Sequence, residues 1–356
     1  MTPDPFSHPI MGGLYGDREI GAFLGVDTTL QNMLAVEAAY AHALGQAGKV
    51  PIKVAQRAAE EIATCQLNLA DLRQGMAVDG VCVPAMVRQL KTKLPDDLHV
   101  ALHSGLTSQD VIDTALILSL VPILAIFETR LKVLEAALSS LIDQFGAQPL
   151  QGRTRKQAAL PITVADRIAA WTRPLARHLK RLDQMKTDLL ALQLGGPVGT
   201  REQLNPEIAR HLAHGLGLFD PGSAWHTDRS ALTDFADWLS LVTGGIGKIG
   251  EDICLMAQQG FDEISVAGGG TSSAMAHKAN PILAETLVTL ARYNATQLPG
   301  MHHALVHEQE RSGSAWALEW MVLPSMIVAT GTALNTAISL CGNIKQMGKW
   351  DGKSLS

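Results

Sequence analysis

Residues 107–145 read TSQDVIDTALILSLVPILAIFETRLKVLEAALSSLIDQF, and this stretch sets the fold. Ser104 to Asp110 forms a loop leading into a capped helix N-terminus. Such a terminus has unpaired N–H groups and a positive dipole end, and so favours a carboxylate. An ordinary capped helix is the alternative reading of that segment. Beyond it the pattern predicts one very long apolar helix, to about Phe145. Leu131, Leu134, Leu138, Leu141 and Ile142 continue its buried face. Pro122 should kink it or free a carbonyl. The apolar run from Ala115 to Phe127 is broken by Ser119 and Pro122 and is too short to span a bilayer.

Working outward, residues 1–26 read as irregular. Shorter helices are expected from Asp27, from Pro51 and from Val83 to Leu94. A second long helix runs from about Val164 to Leu194 and is cut by Gly195-Gly196-Pro197-Val198-Gly199. A third covers residues 228–259. Its glycines at 244, 245, 247 and 250 weaken helix propensity and imply close helix–helix packing. A fourth spans about Pro281 to Leu298, and a fifth about Ser325 to Cys341. The predicted fold is all-α. A small N-terminal helical domain (residues 1–104) precedes an elongated bundle of five long helices (residues 105–345), and a polar tail follows (residues 346–356).

The net charge of -5 provides no global field for nucleic acid or a membrane, so any anionic ligand must be held by local cations. The four cysteines are scattered without metal-ligand spacing, which implies reduced thiols. His302, His303 and His307 lie at helical spacing, but no carboxylate motif completes a metal set, so none is expected. The N-terminus lacks a basic-then-apolar signal pattern, and the expectation is a soluble, cytoplasmic protein.

Three polar segments carry candidate chemistry. The first is His103 to Ser108. The second is Gln151 to Gln157, where Arg153, Arg155 and Lys156 precede a helix whose dipole they oppose; that conflict points to a bound anion. The third runs from Gly268 to Asn280, GGGTSSAMAHKAN, and combines a permissive backbone with donors for negative charge. In an antiparallel bundle these segments lie at different heights. They are expected to converge only between neighbouring subunits of an obligate homo-oligomer.

Together these segments resemble the three signature regions of the fumarase/aspartase superfamily. Thr107-Ser108-Gln109-Asp110 with Asp113-Thr114 matches the first, and Gly152-Arg153-Thr154 with Gln157 and Pro161 the second. Ser272-Ser273-Ala274-Met275 with Lys278, Asn280 and Pro281 matches the third. The resemblance implies a homotetramer with a central bundle, each site built from three subunits. Val83 to Leu90, and Glu310-Arg311-Ser312 with Trp316, Glu319, Trp320 and Leu323-Pro324, are similar to the family of bacterial 3-carboxy-cis,cis-muconate cycloisomerases. Three departures matter. Arg155 stands where most of the superfamily has a catalytic His. Ala276 and Ala279 replace a frequent Pro and Arg. The sequence also ends about where the superfamily's third, C-terminal domain begins, so that domain is expected to be largely absent.

The resemblance further implies roles. Ser272 transfers the proton, Lys278 and Asn280 stabilise an aci-carboxylate intermediate, and His103 donates to a substrate carboxylate or acts as an acid. Thr107, Ser108, Arg153, Thr154, Arg155, Gln157, Ser273, Met275, Glu285, Arg311 and Arg18 are the expected substrate-binding residues. Glu285 is expected to pair with Arg155 or to face it. No cofactor is implied, and the partner is a small tricarboxylate substrate. A C–N lyase of the adenylosuccinate or argininosuccinate type is the competing activity. A non-catalytic helical scaffold is the competing class.

Overall fold

A computed structural model describes residues 4–201, 204–271 and 279–349. The N-terminal part holds α1 (Gly12–Tyr15), α2 (Arg18–Leu24), α3 (Val26–Gln46), α4 (Ile52–Ala63), α5 (Leu69–Asp79) and α6 (Val83–Lys93). The long helices are α7 (Ser108–Phe145), α8 (Val164–Leu189), α10 (Ser230–Met256), α11 (Ile282–His303) and α12 (Gly313–Asn343), with α9 (Pro206–Leu216) between α8 and α10. The five long helices expected from the sequence are therefore present.

Two hydrophobic cores result. The larger runs along the bundle and gathers Leu120, Phe127, Leu134, Trp171, Trp238 and Leu334, among others. The smaller lies among α3, α4 and α6. It also takes in Val111 and Ala115 of α7 and Ile208 and Leu212 of α9. The N-terminal unit is thus completed by chain from the middle of the sequence. The apolar stretches of α7 and α12 lie mostly inside these cores.

Helix boundaries differ where proline misleads. α11 continues through Pro299 to His303, and α12 begins at Gly313, well before Pro324. Ser312 explains the earlier start, since its hydroxyl accepts from the Ala315 N–H at 3.1 Å. α1 and α2 occupy a segment read as irregular, with Asp17 capping α2 through the Ile20 N–H.

The second polar segment is a β-hairpin rather than the approach to a helix. β1 (Pro149–Thr154) pairs antiparallel with β2 (Gln157–Thr163). Arg155 and Lys156 form its two-residue turn, with φ of 50° and 66°. Positive φ at both positions is the backbone that matches strand twist in a tight hairpin. α8 starts only at Val164, capped by Thr163 and Asp166, so the cations never meet its dipole. Two further small pairs occur. β3 (Ile264–Val266) pairs with β6 (Ile344–Met347), and β4 (Gly270–Thr271) with β5 (Ala279–Asn280).

The glycine-rich face of α10 does permit close approach. A Cβ at Gly247 would lie 2.5 Å from the Ala291 Cβ, and one at Gly250 would lie 2.5 Å from the Ala284 carbonyl oxygen. α10 and α11 are therefore nearly in backbone contact at their shared end. Gly250→Ala should lower stability by about 1–3 kcal/mol, because overpacking against backbone outweighs the helix propensity gained. A urea unfolding midpoint equal to or above wild type would refute the close-packing account.

Candidate active site

At the N-terminal end of α7, two carboxylates of its first turns face inward. Asp110 is 1% exposed. It accepts the N–H groups of Thr107 (3.0 Å), Gly195 (2.8 Å) and Gly196 (2.9 Å), and contacts His226 Nε2 at 2.8 Å. The sharp break at Gly195-Gly196 is thereby pinned to the start of α7. One turn on, Asp113 accepts from Arg229 at 2.6 and 3.2 Å and from the Trp316 indole N–H at 2.9 Å. Arg229 spans to Glu319 on its other side, at 2.8 and 2.5 Å. This buried triad ties α7, the start of α10 and α12 together.

Thr107 and Ser108, half-buried, stand at the lip of this end. The Asp110 N–H is taken by the Thr107 carbonyl at 3.0 Å, while those of Ser108 and Gln109 open the helix with no carbonyl one turn earlier to meet. Arg311 is brought to the same place: its Nε donates to the Gln109 side-chain oxygen at 3.0 Å and its guanidinium to the Pro197 carbonyl at 3.2 Å. His103 is close in sequence and unusual in backbone, with φ of 51°. A non-glycine residue in that region costs about 1–2 kcal/mol. Glu37 of α3, fully buried, holds it: one oxygen lies 2.5 Å from His103 Nδ1 and the other accepts the His103 N–H at 3.1 Å.

The second and third segments lie at the other end. Arg153 is engaged within the chain. It donates to buried Glu263 at 2.6 Å, and its guanidinium lies 4.5 Å from the centre of the Phe261 ring. Thr154 and Gln157 close the hairpin as register partners. Arg155 and Lys156 stand exposed at its tip and, among the described residues, pair with no carboxylate. A cavity of about 800 Å³ beside the hairpin is lined by Arg153, Thr154, Lys156, Arg167, Asp252 and Glu263. Asn280 sits in β5, opposite Gly270. Gly268 has φ of 74°, and a Cβ on Gly270 would lie 2.5 Å from Ile282. One of these glycines therefore serves the turn and the other close packing. Glu285 is exposed in the first turn of α11 and forms no ion pair with Arg155 within the chain. Ser272, Ser273, Met275 and Lys278 lie outside the described residues.

The two ends are far apart. At the helical rise of 1.5 Å per residue, α10 carries the chain about 30–40 Å from Arg229 at the first end to Lys248 and Met256, which line the cavity beside the hairpin. One chain therefore groups His103, Thr107, Ser108 and Arg311 at one end. The hairpin and Asn280 share the other. Arg18 joins neither group: it is exposed on α2, whose flanking residues Asp17 and Glu19 pair with Arg130, about 33 Å along α7 from Ser108. Sequence reasoning missed Glu37, His226 and Arg229. Their partners lie 66 to 116 residues away, and the only local trace was the unexplained glycine break.

This architecture, with polar segments at both ends of a long-helix bundle, defines a helical lyase fold. The family model described as "Lyase" matches residues 22–300, and the chain belongs to this family, within the fumarase/aspartase superfamily. A 3-carboxy-cis,cis-muconate cycloisomerase from Pseudomonas aeruginosa is 36% identical over 327 residues, covering 87% of this chain and 70% of the relative. The crystal structure of the 3-carboxy-cis,cis-muconate lactonizing enzyme from Pseudomonas putida superposes with a TM-score of 0.85 at 32% identity, covering 95% of this chain and 77% of that one. A fumarate lyase from Mesorhizobium sp. BNC1 superposes with a TM-score of 0.87 at 26% identity, covering 94% and 76%.

Burial raises the Glu319 carboxyl above its ordinary range, and Arg229 opposes that rise. Replacing Arg229 by Met strands two buried carboxylates and should cost about 3–5 kcal/mol near neutral pH. With the cation gone, Glu319 keeps a raised folded-state pKa. A raised pKa contributes stability that is present below the unfolded value and lost as pH rises through the folded one. Arg229→Met should therefore recover stability as pH falls from about 7 to about 5, relative to wild type. Denaturation curves of both proteins across that range test it; parallel profiles would contradict it.

Proposed function

We propose that this enzyme is a cycloisomerase that closes 3-carboxy-cis,cis-muconate to 4-carboxymuconolactone, a step of aromatic catabolism. The observation that carries the reading is position 155. A guanidinium cannot accept or release a proton near neutral pH, so Arg155 cannot replace a catalytic His as acid or base. Lactonisation needs no such group on the nucleophile's side, because the attacking oxygen belongs to a substrate carboxylate already ionised at pH 7. Hydration or amine elimination does need one, which disfavours the competing C–N lyase reading. The similarity to cycloisomerases at 30% identity and above supports the same conclusion.

In the proposed step a carboxylate oxygen forms a C–O bond to an alkene carbon. The π pair moves to the adjacent carbon, alpha to another carboxylate, and is held as an aci-carboxylate. One proton, delivered by the Ser272 hydroxyl, completes the new C–H bond, and the serine regains its proton from solvent water. Lys278, Asn280 and loop N–H groups hold the developing charge, where one good donor is worth about 3–4 kcal/mol. Arg155, with Lys156 beside it, binds a substrate carboxylate at the hairpin tip. Thr107, Ser108 and the α7 N-terminus bind another, and His103 donates there. The scheme calls on no metal or cofactor, since the nucleophile arrives ionised.

The reading also implies composite sites in a homotetramer, because groups about 30–40 Å apart along the bundle cannot serve one small substrate within a chain. Four free thiols suit a reducing compartment such as the cytoplasm. The deciding assay follows loss of 3-carboxymuconate absorbance with purified protein in the presence of a chelator. Turnover of adenylosuccinate but not of 3-carboxymuconate would exclude the proposal. Ser272→Ala should abolish turnover and leave the oligomer intact. Mixing Ser272→Ala with His103→Gln under conditions of subunit exchange should restore activity at roughly a quarter of the sites. No recovery in verified hybrids would mean that each site draws both groups from one chain.

A further inference from the structure

From the geometry around His103 we infer that Glu37 is a positioning residue for the reaction: it fixes His103 as the Nδ1–H tautomer and leaves Nε2 as the ring's working atom. The inference rests on the proposed catalytic use of His103, but its structural half stands apart from the substrate. Glu37 lies in the middle of α3, far in sequence from every signature region, and its side chain is fully buried. A buried carboxylate needs donors on both oxygens. The described donors are both from His103: the ring Nδ1 at 2.5 Å from one oxygen and the peptide N–H at 3.1 Å from the other. A carboxylate accepts and cannot donate, so the ring proton on that side belongs to Nδ1. In the neutral ring Nε2 then carries a lone pair, and on protonation it becomes the donor.

The surrounding chain is built to the same end. Tyr40, one turn after Glu37 on α3, donates its hydroxyl to the Ser104 carbonyl at 2.6 Å. Two side chains of one helix thus clamp two consecutive residues, 103 and 104. The clamp holds His103 at a φ of 51°, a conformation its backbone would not choose unaided. Gly105 follows at φ of 84°, and the chain then enters the cap of α7. The His103 side chain is 19% exposed, so one edge of the ring reaches the surface while the Nδ1 edge is closed off by Glu37. A purely structural histidine would have no need of an open edge and a bidentate carboxylate together. The arrangement is that of a base or acid whose orientation and tautomer are set by a group that never touches substrate.

The first test is spectroscopic and needs no turnover. Side-chain ¹⁵N shifts of histidine-labelled wild-type protein, with His103 assigned by its loss in His103→Gln, should report a proton on Nδ1. A dominant Nε2–H tautomer would overturn the inference whatever the substrate proves to be. The second test is a double-mutant cycle in kcat. Glu37→Gln should lower kcat by at least about tenfold with little change in KM, the range seen when an orienting partner of a functional histidine is removed. In a His103→Gln background the same change should have no further effect. Equal losses in both backgrounds, with the oligomer intact, would make Glu37 a stability residue and refute the positioning role. If His103→Gln alone keeps near-wild-type kcat, the catalytic assignment of His103 fails, and a wild-type Nδ1–H signal would then leave Glu37 as the determinant of the ring's tautomer only.

Discussion

The buried Arg229 triad is the contact on which the architecture depends. Its guanidinium is 1% exposed and satisfies Asp113 and Glu319 at once, joining three long helices at one level. Ions removed from water are tolerated only when paired and fully hydrogen-bonded, so such a cluster accepts few alternative registers. Apolar packing along α7, α10 and α12 would permit the helices to slide by a turn; the triad forbids it. Because Asp113 lies one turn beyond Asp110, the same register that satisfies Arg229 also sets the depth at which the Gly195-Gly196 break docks on α7. The shape of the first polar end therefore follows from a contact that is not itself part of the proposed chemistry.

The electrostatic design is consistent at both ends. Each end buries carboxylates that hold nearby donors in place. Glu37, Asp110 and Asp113 face inward at one end of α7, and Glu263 does so at the other. Glu263 neutralises Arg153, and among the described residues Arg155 and Lys156 at the hairpin tip pair with no carboxylate. The hairpin is a rigid way to present them, since both residues sit in the turn itself and their backbone is fixed by strand pairing on either side. A flexible loop would lose that orientation to entropy on every binding event.

Much of this was legible in the sequence, and the limits have physical causes. Long runs with period-3.6 apolar spacing gave the five helices, since a helix buried on one face must repeat in that way. The signature segments were legible because their residue types make sense only as a polar set. The hairpin was not. Its turn uses Arg155-Lys156 in place of the glycine or asparagine that usually marks positive φ, and its strands are too short for a clear alternation. The helix limits expected near Leu298 and Ser325 fall beside Pro299 and Pro324, yet each proline lies inside a helix whose tertiary packing outweighs the lost hydrogen bond. Glu37 and Arg229 could not be found at all, because nothing local to a buried ion announces a partner many tens of residues away.

α7 is about 57 Å long and separates two polar ends of the chain. Each end is anchored by its own buried carboxylates, so its internal geometry is set within one chain. In the proposed homotetramer, the distance between the groups that would meet around a substrate is set by how chains pack together. Under that proposal precision is divided: contacts within the chain such as Glu37–His103 and Glu263–Arg153 orient the polar groups, and alignment is left to the interface between subunits. Substitutions inside an end and substitutions between ends should then act through different quantities, the first on the chemical step and the second on assembly. The departure at position 155 fits this division. On the proposed reading, a fixed cation at the hairpin tip in place of a proton carrier would change which reaction the assembled site runs without changing how it is assembled.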